Sequence, residues 1–247
     1  MLPNLIFLDT ETTGLGPDDR LIQLACVLTS AGQVKQIHSH RFNPGRPIGF
    51  EAMAVHHVTE EMVKGSPTFK DSARYAALNA DLKDHVLVAH NAPFDVGMLT
   101  REGIEQPKWV IDTRRVAMHL ITTVDRHALQ YLRYALDLNS AIIEKYPEIT
   151  AHDALSDVYV LMELFDYLLI WTPGEDEKQK VKKMIELSTT PVLLRKFGFG
   201  KYIGSTFEKV KAEDRSYLLW LYDAEKRKPA AEKNEDLLYT LNFYLHG

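Results

Sequence analysis

Through the first half of the chain the apolar positions come in short runs separated by polar turns, the pattern of buried strands. Leu5-Ile6-Phe7-Leu8 opens a strand expected over residues 4–10, and two more are expected over 21–29 and 34–42. Ser30-Ala31-Gly32-Gln33 has the composition of a hairpin turn, so the sheet should begin antiparallel. Short helices are expected at 51–54 and 59–64, then an amphipathic helix over 68–83 in which Phe69, Ala73, Ala76, Ala77 and Ala80 recur at helical spacing. Val86 to Ala89 reads as a short buried strand. It leads into His90-Asn91-Ala92-Pro93-Phe94-Asp95, where Asn91 suits a helix cap, Pro93 its first turn and Gly103 its end. A strand over 109–112 and helices over 114–120 and 126–136 follow. A long helix is expected over 152–171, with Leu155, Val158, Leu161, Met162, Phe165, Leu168 and Leu169 as its apolar face and Pro173-Gly174 as its stop.

Beyond that helix the texture changes. Residues 174–190 are polar and charged and read as a linker, dividing the chain into a domain over 1–173 and a small module over 191–247. In the module, glycines alternate with aromatics from Phe197 to Gly204, as in a tight hairpin, ahead of a helix carrying Tyr217, Leu218, Trp220 and Leu221. The length of 247 residues allows one sizeable core plus such an appendage. Hydrophobic residues at 45% and charged residues at 26% are ordinary for a globular chain, and no apolar run is long enough to cross a bilayer, so no membrane partner is expected. The opening MLPNLIF lacks a basic segment or cleavage pattern, and no signal peptide is expected. Cys26, the single cysteine, lies in an apolar run and reads as a core residue; with no disulfide framework the default setting is cytoplasmic. A net charge of −5 argues against a broad basic surface, but not against a local cleft whose acids are neutralised by cations.

The candidate chemistry lies in the acids. Asp9 and Glu11, two residues apart at the end of the first strand, would project to the same side. One reading is a strand entering a polar turn at Thr12-Thr13-Gly14; the other is half of a metal site. Asp95 falls at a helix start, and Asp157 interrupts the apolar face of the long helix, where an isolated buried carboxylate would need a counter-charge. Alone, Asp157 also reads as a solvated acid near a helix N-terminus. His152, five residues earlier, is rotated by about 140° on a continuous helix, so it would reach the same place from the helix start or the preceding loop. Read alone, His152 could equally be a surface residue. Four carboxylates with almost no Cys or His spacing suit Mg²⁺ or Mn²⁺. Two such ions would stabilise the attacking and leaving oxygens of a displacement at phosphorus, and a histidine of ordinary pKa suits the base that takes the water's proton.

Asp9-Thr10-Glu11-Thr12-Thr13-Gly14-Leu15, His90 to Asp95, and His152-Asp153-Ala154-Leu155-Ser156-Asp157 resemble, in order, the three motifs of the DEDDh family of 3′–5′ exonucleases. The resemblance spans residues 4–171. It implies an α/β fold, a ribonuclease H-like mixed five-stranded sheet flanked by helices, here with a small C-terminal hairpin-plus-helix module. It also implies that Asp9, Glu11, Asp95 and Asp157 are catalytic metal ligands for two divalent ions, Mg²⁺ or Mn²⁺, and that His152 is the general base. Thr12, Thr13, Gly14 and Leu15 match the turn that holds the terminal nucleotide, with Leu15 a wedge against its base. His56, with His57 beside it as a competitor, and Asn91 and Phe94 match further nucleotide-binding positions. Phe197-Gly198-Phe199-Gly200-Lys201-Tyr202 and the helix after it resemble the tail of the exodeoxyribonuclease X group. The implied activity is hydrolysis of DNA from 3′ ends, single-stranded above all, releasing nucleoside 5′-monophosphates, with replication or repair proteins as partners. The alternatives are a 3′–5′ exoribonuclease on small RNAs and a non-catalytic protein that binds ends. In the tail, Arg195, Lys196 and Lys201 interleave with Phe197, Phe199 and Tyr202. Lys201 and Tyr202 are the residues expected to meet a single strand, and Phe197, Phe199 and Trp220 are weighed chiefly as core.

Overall fold

Strand β1, Leu5–Thr12, runs two residues further than expected, because the second strand continues to pair with it as far as Thr12. It pairs antiparallel with β2, Leu21–Ser30, up to Glu11 opposite Gln23, and the register shifts between Glu11 and Thr12. In the computed structural model, which describes residues 1–147 and 153–246, the sheet has the order β3-β2-β1-β4-β5. Strand β3, Gln33–Arg41, closes the antiparallel edge; β4, Val86–Ala89, and β5, Val110–Asp112, add in parallel. The chain folds into two compact units, Met1–Ser188 and Thr189–Gly247.

Strand alternation splits the first unit's core. Leu5, Phe7, Ala25, Val27, Val88 and Ile111 meet α5 (Thr113–Leu120), α6 (Leu129–Ala135), α7 (Asn139–Lys145), α8 (Ala154–Trp171) and α9 (Glu177–Leu187), helices numbered in chain order. Ile6, Leu8, Leu24, Cys26 and Leu87 meet α3 (Ala73–Asp84) and α4 (Ala92–Arg101) on the other face. Two short helices, α1 (Phe50–His56) and α2 (Glu60–Val63), surround a small cluster of Ile22, Ile48, Val58 and Val63. α8 is the keystone: Phe165 meets Phe7 edge to face at 5.2 Å, and truncating such a buried ring costs about 3–5 kcal/mol.

Three expectations are corrected. α3 begins at Ala73, and its buried face is Arg74, Leu78 and Leu82; Ala73, Ala76, Ala77 and Ala80 lie outside that face. Small alanines bury little area, so the two leucines decide which side faces the sheet. Residues 177–187 are a helix and not part of a linker: Asp176 caps it through the Gln179 N–H, and Val181, Met184 and Leu187 enter the first unit's core. In the second unit the glycine-aromatic stretch is closed by a single bridge, Lys196 to Thr206, in place of a hairpin ladder. It is followed by three helices, α10 (Phe207–Glu213), α11 (Arg215–Arg227) and α12 (Glu235–His246), whose core gathers Phe197, Phe207, Leu218, Leu221, Leu237 and Leu241.

Candidate active site

Alternation along β1 places Asp9 and Glu11 on the same face as Phe7, toward α8, and Asp157 stands in the first turn of that helix. Carboxylate oxygens of Asp9, Glu11 and Asp157 lie within 4.8 Å of one another, the one such metal-competent group among the described residues. The charges that act on Asp9 and Glu11 are those of other acids. Burial, then the charges of Asp157 and Asp95, push Glu11 up to about 8; burial, then Asp95 and Asp157, hold Asp9 well above the ordinary carboxylate range. Without a cation, burial and mutual repulsion favour the protonated form of Asp9 and Glu11. An all-oxygen donor set of this kind fits a hard divalent ion, whose charge would restore the carboxylates.

Asp95 stands beside that group, not within it. It is buried in the first turn of α4 and accepts a hydrogen bond from the Thr10 hydroxyl at 2.7 Å, from the opposite face of β1. Burial raises it to about 7, with the Thr10 bond acting the other way. The helix start that carries it depends on Asn91, whose φ of 68° is left-handed. Asn91 makes no side-chain cap: its N–H donates to Asp112 Oδ1 at 2.9 Å and its Oδ1 accepts from Arg114 at 3.2 Å. Phe94 is half-buried in the same turn. His90 next door is bonded at both ring nitrogens, to the Thr113 hydroxyl and the His127 carbonyl, and burial pushes it down to about 4.

The turn after β1 presents Leu15, 86% exposed, beside buried Thr12 and Thr13. The Thr12 hydroxyl donates to the Gly14 carbonyl at 2.7 Å, which folds the chain back under Leu15. His56 is buried at the end of α1, its Nδ1 accepting the Val58 N–H at 3.0 Å, while its Nε2 finds no hydrogen-bond partner among the described residues. His57 instead takes the left-handed C-cap position, φ 58°, and is exposed. His152 lies outside the described residues.

Two participants carry little or no mark in the sequence. Gln130 of α6 donates its amide to Asp157 Oδ1. Asp153 adds a further repulsive charge on Asp9 and Glu11, and is held by Gln23 Nε2 at 2.9 Å, whose amide also reaches Ser39. Nothing around Gln130 in the chain signals its role. Asp153 has one signal, since it lies within the third motif. In the second unit, Lys201 and Tyr202 are bound to Asp214, at 3.1 and 2.6 Å, and Phe197 is a core ring stacked on Phe207 at 4.0 Å. Phe199 and Trp220 are 42% and 61% exposed, so neither is the core residue expected.

A mixed five-stranded sheet of this order flanked by helices is the ribonuclease H-like architecture found in exonucleases. The exonuclease family model (RNase T) matches residues 6–165, and the chain belongs to that exonuclease family. It is 30% identical over 244 residues to exodeoxyribonuclease 10 of Escherichia coli (strain K12), covering 98% of this chain and 99% of that protein. It is 31% identical over 175 residues to the DNA polymerase III subunit epsilon of Rickettsia prowazekii (strain Madrid E), covering 65% of this chain and 71% of that one. Among solved structures, exonuclease X in complex with 5′ overhanging duplex DNA superposes with a TM-score of 0.60 at 28% identity, over 74% of this chain and 99% of that one. Among the described residues no helix is long and apolar enough to cross a membrane.

Proposed function

We propose that this exonuclease hydrolyses the terminal phosphodiester of DNA from the 3′ end, single strands above all, and releases nucleoside 5′-monophosphates. The observation that carries this reading is the mutually repelling set Asp9, Glu11 and Asp157, with Asp95 beside it, on an exonuclease fold. Two divalent ions, Mg²⁺ or Mn²⁺, held by these acids would supply charge stabilisation for the attacking and leaving oxygens. Thr10 and Gln130 would hold Asp95 and Asp157 in the orientation required. His152 would take the proton of the attacking water. Leu15 would press on the terminal base, and His56, whose Nε2 is buried without a partner among the described residues, together with Thr12, Thr13, Gly14, Asn91 and Phe94, would line the pocket for the terminal nucleotide.

The preference for DNA is supported by the similarity, over nearly its whole length, to an exodeoxyribonuclease, and by the likeness to an exonuclease solved with duplex DNA. The epsilon-subunit relatives favour partners in replication. The first unit would be catalytic, and the second would add affinity for the nucleic acid. Matched DNA and RNA oligonucleotides with free 3′ ends test the reading. Faster release of 5′-mononucleotides from DNA is expected; equal or faster release from RNA would make the chain an exoribonuclease, and cleavage of circular single strands would remove the 3′ polarity.

A further inference from the structure

The segment that carries Leu15 is held by one side chain. Asp19 Oδ1 accepts the Thr13 hydroxyl at 2.6 Å, and Asp19 Oδ2 accepts the Gly16 N–H at 2.7 Å, so a single carboxylate grips the chain on both sides of Leu15. Thr13 closes the loop a second time: its N–H donates to the Arg20 carbonyl at 2.9 Å and its hydroxyl oxygen accepts the Arg20 N–H at 3.0 Å. The far end is anchored by Arg20, whose guanidinium makes a two-pronged pair with buried Glu102 at 2.7 and 2.8 Å. Arg46 approaches Asp19 at 3.7 Å and donates to the Asp18 carbonyl, tying the loop to the segment after β3. Gly14 packs against the same carboxylate: a Cβ there would stand 2.6 Å from Asp19 Oδ2, so a larger residue would displace the Asp19 side chain. The bonds from Thr13 and Gly16, which outweigh its burial, hold the Asp19 carboxyl below the ordinary range, so it accepts as an anion at neutral pH.

An apolar side chain 86% exposed on a flexible loop would collapse onto the nearest surface; this one stands out because the loop beneath it is closed by hydrogen bonds at both ends. We propose that Asp19 is a positioning residue of the exonuclease reaction: it sets the Leu15 loop in the shape that engages the terminal nucleotide, and it has no part in holding the metal. The proposal rests on the reading of Leu15 as the wedge given above. A wedge matters most where the terminal base must be parted from a partner, so the loss should be larger on a blunt duplex than on a single strand.

The test is a double-mutant cycle on the full chain with Leu15→Ala, Asp19→Ala and the pair, measuring kcat and KM on a single-stranded and a blunt duplex DNA. Each single change is expected to lower kcat/KM on the duplex by about tenfold, and on the single strand by less and mainly through KM, with the Mg²⁺ dependence unchanged. The double variant is expected to be no worse than Leu15→Ala by more than about twofold, because Asp19 acts through Leu15. Asp19→Asn, which keeps an oxygen to accept one of the two bonds, should recover part of the loss, and thermal unfolding confirms that each variant is folded. Losses that multiply, or an altered Mg²⁺ dependence in Asp19→Ala, overturn the proposal. Leu15→Ala with a loss and Asp19→Ala without one overturns it alone; Leu15→Ala without a loss overturns the wedge and the proposal together.

Discussion

Two carboxylate environments in this molecule are opposites. In the second unit Asp214 accepts from the Tyr202 hydroxyl, the Ser216 hydroxyl, the Lys201 ammonium and the Tyr217 N–H, and these bonds, led by that from Tyr202, hold it far below the usual carboxylate range. In the first unit Asp9 and Glu11 face other acids, and both rise. A satisfied carboxylate is a joint: it locks Gly200-Lys201-Tyr202-Ile203 against the start of α11 and has nothing left to offer a ligand. A repelling set is a candidate site, because mutual repulsion of this kind is what an arriving cation would relieve.

The sharpest way to break this contrast is to remove charge from the repelling set. Asp9→Asn or Asp157→Asn is expected to lower turnover by about 10³-fold or more, as charge stabilisation at the transition state is lost, with folding intact. Strong residual activity would place the site elsewhere. Next in size is His152→Ala, expected to lower kcat by about 10²–10⁴-fold with little change in substrate binding; an unchanged kcat would make the residue structural.

The contrast also fixes a sign. Glu11 and Asp95, raised to about 8 and about 7, hold protons more tightly in the folded chain than in the unfolded one. Their contribution to stability is therefore full below the ordinary carboxylate pKa and is lost as pH rises through about 7 to 8. In chelator the unfolding midpoint should fall between about pH 5 and about pH 9, and Mg²⁺ should restore most of the loss at the alkaline end. A midpoint indifferent to Mg²⁺ at high pH would mean that the acids are compensated in another way.

The smallest effects belong to the second unit. A chain ending at Thr190 keeps α9 in place and should still hydrolyse short oligonucleotides, but bind longer single-stranded DNA more weakly, with a salt slope shallower by about 0.7 for each phosphate no longer neutralised. Lys201→Ala, whose ammonium already serves Asp214, should change the dissociation constant by less than about threefold. Equal slopes for the full and shortened chains would make the second unit a structural or partner-docking element, and a tenfold or larger loss from Lys201→Ala would return that residue to the DNA.

Much of the first unit was legible because its signals are local. The spacing of Asp9 and Glu11 after four apolar residues, the Asn91 and Pro93 helix start, and the apolar face of α8 each declare themselves within a few positions. What was missed depends on partners distant in sequence. Gln130 reaches Asp157 across 27 residues, and Gln23 reaches Asp153 across 130. α9 is hidden behind its lysines, although Val181, Met184 and Leu187 recur every third residue. Lys201 and Tyr202 look available because basic and aromatic groups side by side suit DNA and a folded loop equally well, and only the position of Asp214 separates the two.

Release of the 3′-terminal nucleotide from single-stranded DNA, followed as Mg²⁺ is titrated into chelator-stripped protein, tests most directly whether the acids at the end of β1 are the catalytic centre. The expected result is no release without the cation, saturable release with it, and none at any Mg²⁺ concentration from Asp9→Ala. Undiminished release in chelator, or strong release by Asp9→Ala with contaminating nuclease excluded, would contradict it.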